Sequence, residues 1–328
     1  MKRIFFSILI TAAIIIFLLT QISLKDLASL LKSIDPLWAI LGSTAYLLAL
    51  LFRALRYKGL IHSRVVPISE LFRISVFYNL SLMVLPSKLG ELSYPYLLNR
   101  ISGMNMTEGL ASLIVSRVYD FFIVLIIFLF ASISFQSFFK MNLFLIILLA
   151  LCLIGLTLLV IFYMGSLLRL FSRFLGNLSG WTGAKNSRFF QWGQKKIGEI
   201  AEDLYAIKAR RTYFSVALTS LTSWIMVFWM FFAFLRAFGI EVSFLKIVFA
   251  STVAIITSAL PISGLGNWGT LEAGWAAGFL MVGISKEKAI ASGFGVHIAI
   301  FIVSTIIAFI CWVTLKIKPS PNLPDQSG

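Results

Sequence analysis

The chain has 328 residues, 59% of them hydrophobic and only 12% charged, a balance that excludes a water-soluble globular domain and leaves a polytopic membrane protein. Its net charge of +15 would suit nucleic acid, but Lys and Arg gather at the ends of apolar runs and in one polar segment, as the positive-inside bias requires, and no reader motif accompanies them. Two cysteines, Cys152 and Cys311, and two histidines, His62 and His297, are too few and too scattered for a disulfide framework or a metal centre, so no cofactor is expected.

A spanning helix needs about 20 mostly apolar residues. Residues 4–20 qualify; the charged start at Lys2 and Arg3 has the look of a secretory signal, but without a clear small-residue cleavage site it reads as a retained first helix. Residues 38–57 form the next span. The region 69–101 departs from this pattern, since its apolar half gives way to "LPSKLGELSYPYLLNR", with Pro86, Lys88, Gly90, Glu91 and Pro95. About 15 residues of helix after Pro86 would reach only about 22 Å, too short to span comfortably. A re-entrant hairpin, entering and leaving on one side, fits better, because broken backbone at membrane depth needs protein or a water-filled cavity around it.

Spans are expected next at 108–133 and 142–164, followed by a basic segment over 166–211. There Ile197, Ile200, Ala201 and Leu204 recur at helical spacing opposite Lys196, Glu199, Glu202 and Asp203, the pattern of an amphipathic helix on the membrane surface. Residues 212–238 span again. The region 244–283 repeats the interrupted pattern with Pro261, Gly264, Gly266 and Gly269, the span 287–315 follows, and 319–328 reads as a disordered, proline-rich tail. The expected architecture is therefore an all-α polytopic membrane protein with six full transmembrane helices and two re-entrant hairpins, in a single integral membrane domain over 1–318.

Placing Lys2 and Arg3 inside puts Arg53, Arg56, Lys58 and Arg64, the 166–211 segment, and Lys316 and Lys318 on the cytoplasmic side, with both termini cytoplasmic in the inner membrane. "LRYKGL" (55–60) precedes one interrupted region and "LRAFGI" (235–240) the other; each is followed by a helix start with an N-cap candidate, Thr107 or Ser285, and a long span. This predicts an internal repeat, about 38–133 and 212–317, whose second copy is inverted. Inverted repeats with broken helices near the midplane are a recurring construction of transporters.

Arg117 and Asp120, three apart in "SRVYD", share one helix face at membrane depth, where an unpartnered charge costs several kcal/mol on insertion scales. Lys88 and Glu91 share a face in the same way, and Glu272 follows the glycine-rich turn of the second region. One reading makes these internal salt bridges that hold the hairpins. The other has Lys88 and Arg117 attract an anionic head group whose phosphate sits near backbone N–H groups at Gly90, Gly264, Gly266 or Gly269, while Glu91, Asp120 and Glu272 position the cations or carry a proton. No nucleophile elbow, P-loop or metal-ligand cluster points to an enzyme.

The motifs "LRYKGL", "LPSKLGE", "SRVYD" and "PISGLGNWGTLEA" together resemble the lysylphosphatidylglycerol synthase transmembrane-domain family, also called the flippase-like domain family, over about residues 4–317. By that likeness Lys88, Gly90, Glu91, Arg117, Asp120, Gly269 and Glu272 occupy the family's characteristic polar positions. The resemblance implies a flippase of a membrane lipid or lipid-linked intermediate. Lys88 stands where arginine is frequent, Ser116 where an acidic residue often precedes the arginine, and Leu271 where arginine often precedes the glutamate, which points towards a less anionic head group. No soluble aminoacyl-transferase or glycosyltransferase domain follows, so lipid synthesis is not expected of this chain. Two other classes fit the sequence: a non-transporting partner or regulator of a separate synthase or glycosyltransferase, acting through 166–211, and a small-anion secondary transporter.

Overall fold

The computed structural model describes residues 16, 20, 34–85, 89–133, 143–181, 188–259 and 266–314. These form ten α-helices and, among the described residues, no strand: α1 Pro36–Leu60, α2 Ile68–Val84, α3 Leu89–Ser102, α4 Met106–Ile133, α5 Leu143–Trp181, α6 Arg188–Ala209, α7 Tyr213–Ala237, α8 Phe244–Ala259, α9 Thr270–Met281 and α10 Lys286–Val313. Five of them, α1, α4, α5, α7 and α10, are long and apolar enough to cross a membrane. The chain is thus an all-helical polytopic membrane protein, and the spans expected at 38–57, 108–133, 142–164, 212–238 and 287–315 each fall on one of these helices. The span expected at 4–20 and the tail at 319–328 lie outside the described residues.

Local chemistry sets the helix ends. Asp35 caps α1 by accepting the N–H groups of Leu37 (2.8 Å) and Trp38 (3.4 Å), with Pro36 in the first turn, where its missing N–H is harmless. Ser285 is the N-cap residue of α10, as expected, although its hydroxyl makes no capping bond. Thr107 is not a cap: α4 already begins at Met106. The helix α5 runs on to Trp181, well past residue 164, because Leu167, Leu170, Phe171 and Phe174 keep one face apolar between Arg169 and Arg173.

The helices α1 and α7 lie antiparallel along most of their length. Asp35 N–H donates to Ala237 C=O at one end (2.9 Å), the Ser223 hydroxyl to Ala49 C=O midway (3.1 Å), and the Thr212 hydroxyl to Gly59 C=O at the other end (3.0 Å). Close approach is possible because Gly42 sits flat on the Phe234 ring, where a methyl group would stand 2.9 Å from two ring carbons.

Around this pair, α2 packs on α3 and α8 on α9, giving two helical hairpins, while α4 also touches α8 and α10 touches α2. Their arms have 17, 14, 16 and 12 residues. At 1.5 Å per residue they reach about 18–26 Å, short of the roughly 30 Å hydrocarbon core. Small residues let the arms close. A methyl group on Gly90 would meet Leu82 Cα at 3.0 Å, one on Gly274 the Thr257 hydroxyl at 1.9 Å, and one on Gly278 the Ala250 carbonyl oxygen at 2.1 Å. The two hairpins touch at their ends, where Gly266 N–H donates to Leu85 C=O (3.1 Å). Gly266 has φ +54°, and a methyl group there would lie 1.9 Å from the Met83 carbonyl oxygen, so both backbone conformation and space require glycine.

The apolar core divides accordingly, one cluster centred on α7–α10 with Trp275, Phe279 and Phe249, the other on α1–α4 with Tyr57, Leu71 and Tyr94. The helix α6 does not spread its apolar face on lipid as its periodicity suggested. Leu204 and Ile207 join the second cluster against α4 and α5, and Asp203 meets His62 Nε2 at 3.1 Å. Burial pushes the Asp203 carboxyl above its ordinary range, against the pull of the Thr107 hydroxyl and the imidazole.

Gly278→Ala is expected to destabilise the fold by about 1–3 kcal/mol through overpacking at the α8–α9 contact. It should lower the thermal midpoint of the detergent-purified protein, whereas Gly155→Ala on α5, where no atom lies within 4 Å, should leave it in place.

Candidate functional site

Arg117 stands eleven residues into α4, about 16 Å from its start, with its side chain 40% exposed. Three neighbours hold it. Its guanidinium donates to Glu91 Oε2 of α3 (3.3 Å) and to the Tyr78 hydroxyl of α2, and Asp120 Oδ2 lies 3.7 Å away, one turn along α4. The second oxygen of Asp120 accepts from Arg56 of α1 (2.5 Å) and from the Trp224 indole N–H of α7 (2.8 Å), while Arg56 also reaches the Ser220 hydroxyl (3.3 Å). One carboxylate therefore bridges two arginines. Two guanidinium groups facing Glu91 and Asp120 balance in charge, which makes the cluster tolerable at low dielectric.

Exposure rises across the cluster. The side chains of Arg56 and Asp120 are 2% and 12% exposed, those of Glu91 and Arg117 28% and 40%. The inner pair is therefore sealed in protein, and the outer pair can meet a ligand. Behind it Tyr57 and Tyr94 stack at 4.1 Å, and a second polar chain runs from Arg53 to Asn79 Oδ1 (2.8 Å), from Asn79 to the Tyr46 hydroxyl (2.5 Å) and on to Ser304 of α10 (2.6 Å).

The second hairpin carries its own cluster. Glu272, wholly buried, reaches back to the N–H of Gly269, the residue before α9 (2.6 Å), and holds His297 Nδ1 of α10 at 2.5 Å. The Trp268 ring lies flat on the imidazole, 3.9 Å away at 11°.

The structure thus brings Glu91, Arg117 and Asp120 together, and separately Gly269 and Glu272. The hairpin ends that carry the two groups meet at Gly266. Lys88 and Gly264 lie outside the described residues. Gly90 is not in a turn but in the first turn of α3, buried against α2, so its part is close packing. Arg56 was expected among the cytoplasmic anchors; it is instead withdrawn into the bundle because Asp120, in an apolar helix, must have a cation. The sequence did hold one signal for it: Arg53 and Arg56, three apart in "RALR", share a helix face. Tyr78, Trp224 and His297 also escaped the sequence reading. Of these only His297, a lone imidazole in a long apolar helix, invited a search for a partner.

An all-helical bundle with paired charges at membrane depth and two short helical hairpins defines a polytopic membrane protein built around an interior polar site. The chain matches the family described as the lysylphosphatidylglycerol synthase TM region over residues 4–308, and it belongs to that family. No curated protein matches it.

Removing Asp120 strands Arg56 in the bundle. Asp120→Ala is expected to destabilise by about 3–5 kcal/mol, the loss typical of a broken buried pair. Arg117→Ala, at the exposed end, should lower the thermal midpoint of the detergent-purified protein by much less.

Proposed function

We propose that this protein moves a phospholipid or lipid-linked head group between the leaflets of the cytoplasmic membrane, acting as a transporter and not as a synthase. The observation that carries this reading is the Arg117–Glu91 pair: charged, a third or so exposed, at membrane depth, and backed by the sealed Arg56–Asp120 pair. Ionisable groups inside a membrane bundle mark substrate or ion pathways. Arg117 would take the phosphate, with Lys88 nearby in sequence, and Glu91 a cationic part of the head group. The apolar tails would stay in the bilayer.

The two hairpins are read as re-entrant, since their arms are too short to cross. The inverted repeat is supported by the succession of helix lengths, 25, 17, 14 and 28 residues in α1–α4 against 25, 16, 12 and 28 in α7–α10. It is supported also by the antiparallel α1–α7 pair and by the matching contacts of α2 with α10 and α8 with α4. A two-fold axis in the membrane plane would pair the helices in this way.

In reconstituted vesicles carrying a fluorescent-head-group phospholipid, wild type should exchange the label between leaflets faster than empty vesicles. Arg117→Gln and Glu91→Gln should fall to the empty-vesicle rate while remaining folded, and Lys88→Gln should be slowed. Equal rates for empty vesicles, wild type and Glu91→Gln would remove the transport reading. Cysteines placed over 86–92 and 264–270 should react with a polar reagent from at least one side; full protection from both would remove the re-entrant one.

A further inference from the structure

Among the described residues the turn 266–269 bonds the second hairpin to the first, and three contacts fix it. Gly266 N–H is bonded to Leu85 C=O, Trp268 lies on the His297 ring, and Gly269 N–H is bonded to Glu272. The last two lead to the same place, the Glu272–His297 pair. We propose that this pair is a proton-binding site that latches the two hairpin ends together, so that proton uptake by Glu272 releases them; this rests on the transport reading above and names its coupling ion.

The geometry supplies the mechanism. Glu272 and His297 stand 2.5 Å apart, so the charge on one acts directly on the other. A proton gained or lost by either group changes the charge of the pair by one. With side chains 0% and 5% exposed, such a change is costly while the turn is closed. Exchange with water therefore requires the turn to lift. A carboxyl that has gained its own proton is also a weaker acceptor for Gly269 N–H than a carboxylate is. Protonation and lifting of the turn thus favour each other, a reciprocal coupling between two sites on one element.

Other ionisable groups on the neighbouring elements stand apart. Lys246 lies in the exposed first turn of α8, and Lys286, Glu287 and Lys288 open α10, about 14–17 Å along the helix from His297. On α1 and α2, Tyr46 meets Ser304 two turns beyond His297, Arg53 is held by Asn79, and Arg73 acts near Cys311; Arg236 of α7 pairs with Glu241. Among the described residues none of these is bonded to Glu272 or His297.

The test needs no lipid passenger. Nitroxide labels at Val84 and Ile256, exposed positions on the two hairpins, report the separation of their ends in the full chain reconstituted in phosphatidylcholine nanodiscs. Wild type should show one short distance at neutral pH and a growing long-distance fraction as pH falls. Glu272→Gln and His297→Gln should lose that response, and Gly266→Val, which cannot close against Met83, should show the long distance at every pH. The proposal is overturned by a wild-type distribution that ignores pH while Gly266→Val lengthens it, or by Glu272→Gln responding as wild type does. Should Glu272→Gln fail to fold, His297→Gln and the infrared carboxyl band of wild type across the same pH range decide the matter. Failure here with vesicle lipid exchange intact would remove the proton latch alone; the reverse result would remove the lipid passenger alone.

Discussion

Asp120 is the carboxylate on which the interior depends. Its two oxygens hold Arg56 on one side and Arg117 on the other, and Trp224 adds a third bond, so α1, α4 and α7 meet at one charge. Without a bridging anion, two guanidinium groups would face each other inside a bilayer, where a charge keeps its ionised form only if it is partnered or hydrated. The arrangement does more than neutralise. By holding Arg56 in a sealed position it supplies a fixed background against which Arg117 can remain partly exposed.

Backbone proximity is the second constraint. Lipid tails give helices little hydrophobic reason to associate, so close packing and hydrogen bonds must do it. In this chain glycines stand where that closeness is needed: Gly42 under Phe234, Gly90 against α2, Gly274 and Gly278 against α8, and Gly266 against Met83. The hairpin arms are held tightly within themselves, and at their ends Gly266 N–H meets Leu85 C=O.

Much of this was legible in the sequence for a physical reason. Bilayer thickness fixes the length of a spanning helix, so the spans on α1, α4, α5, α7 and α10 follow from apolar run length, and Pro and Gly interruptions mark the two segments that do not conform. Glu91, Arg117 and Asp120, which the structure brings together, were recognisable as candidates because charges in apolar runs are costly enough to need a reason. Periodicity also marked α6 as amphipathic, but a periodic apolar face says only that something apolar covers it. Lipid and the flank of α4 and α5 look the same from the sequence.

Partnership was a different matter. Arg56 was read as an interfacial anchor because its position near a helix end is consistent with either role, and only the convergence of α1, α4 and α7 turns it inward. His297 and Glu272 are 25 residues apart and Arg56 and Asp120 are 64 apart, separations at which no local pattern encodes contact. The sequence by itself determined that this is a membrane protein, where it crosses and where it breaks, because hydropathy, helix rise and the special backbones of Pro and Gly are properties of short segments. The tertiary structure alone decided which charges are sealed, which are exposed and which two hairpins touch, because these depend on how distant segments share one low-dielectric interior.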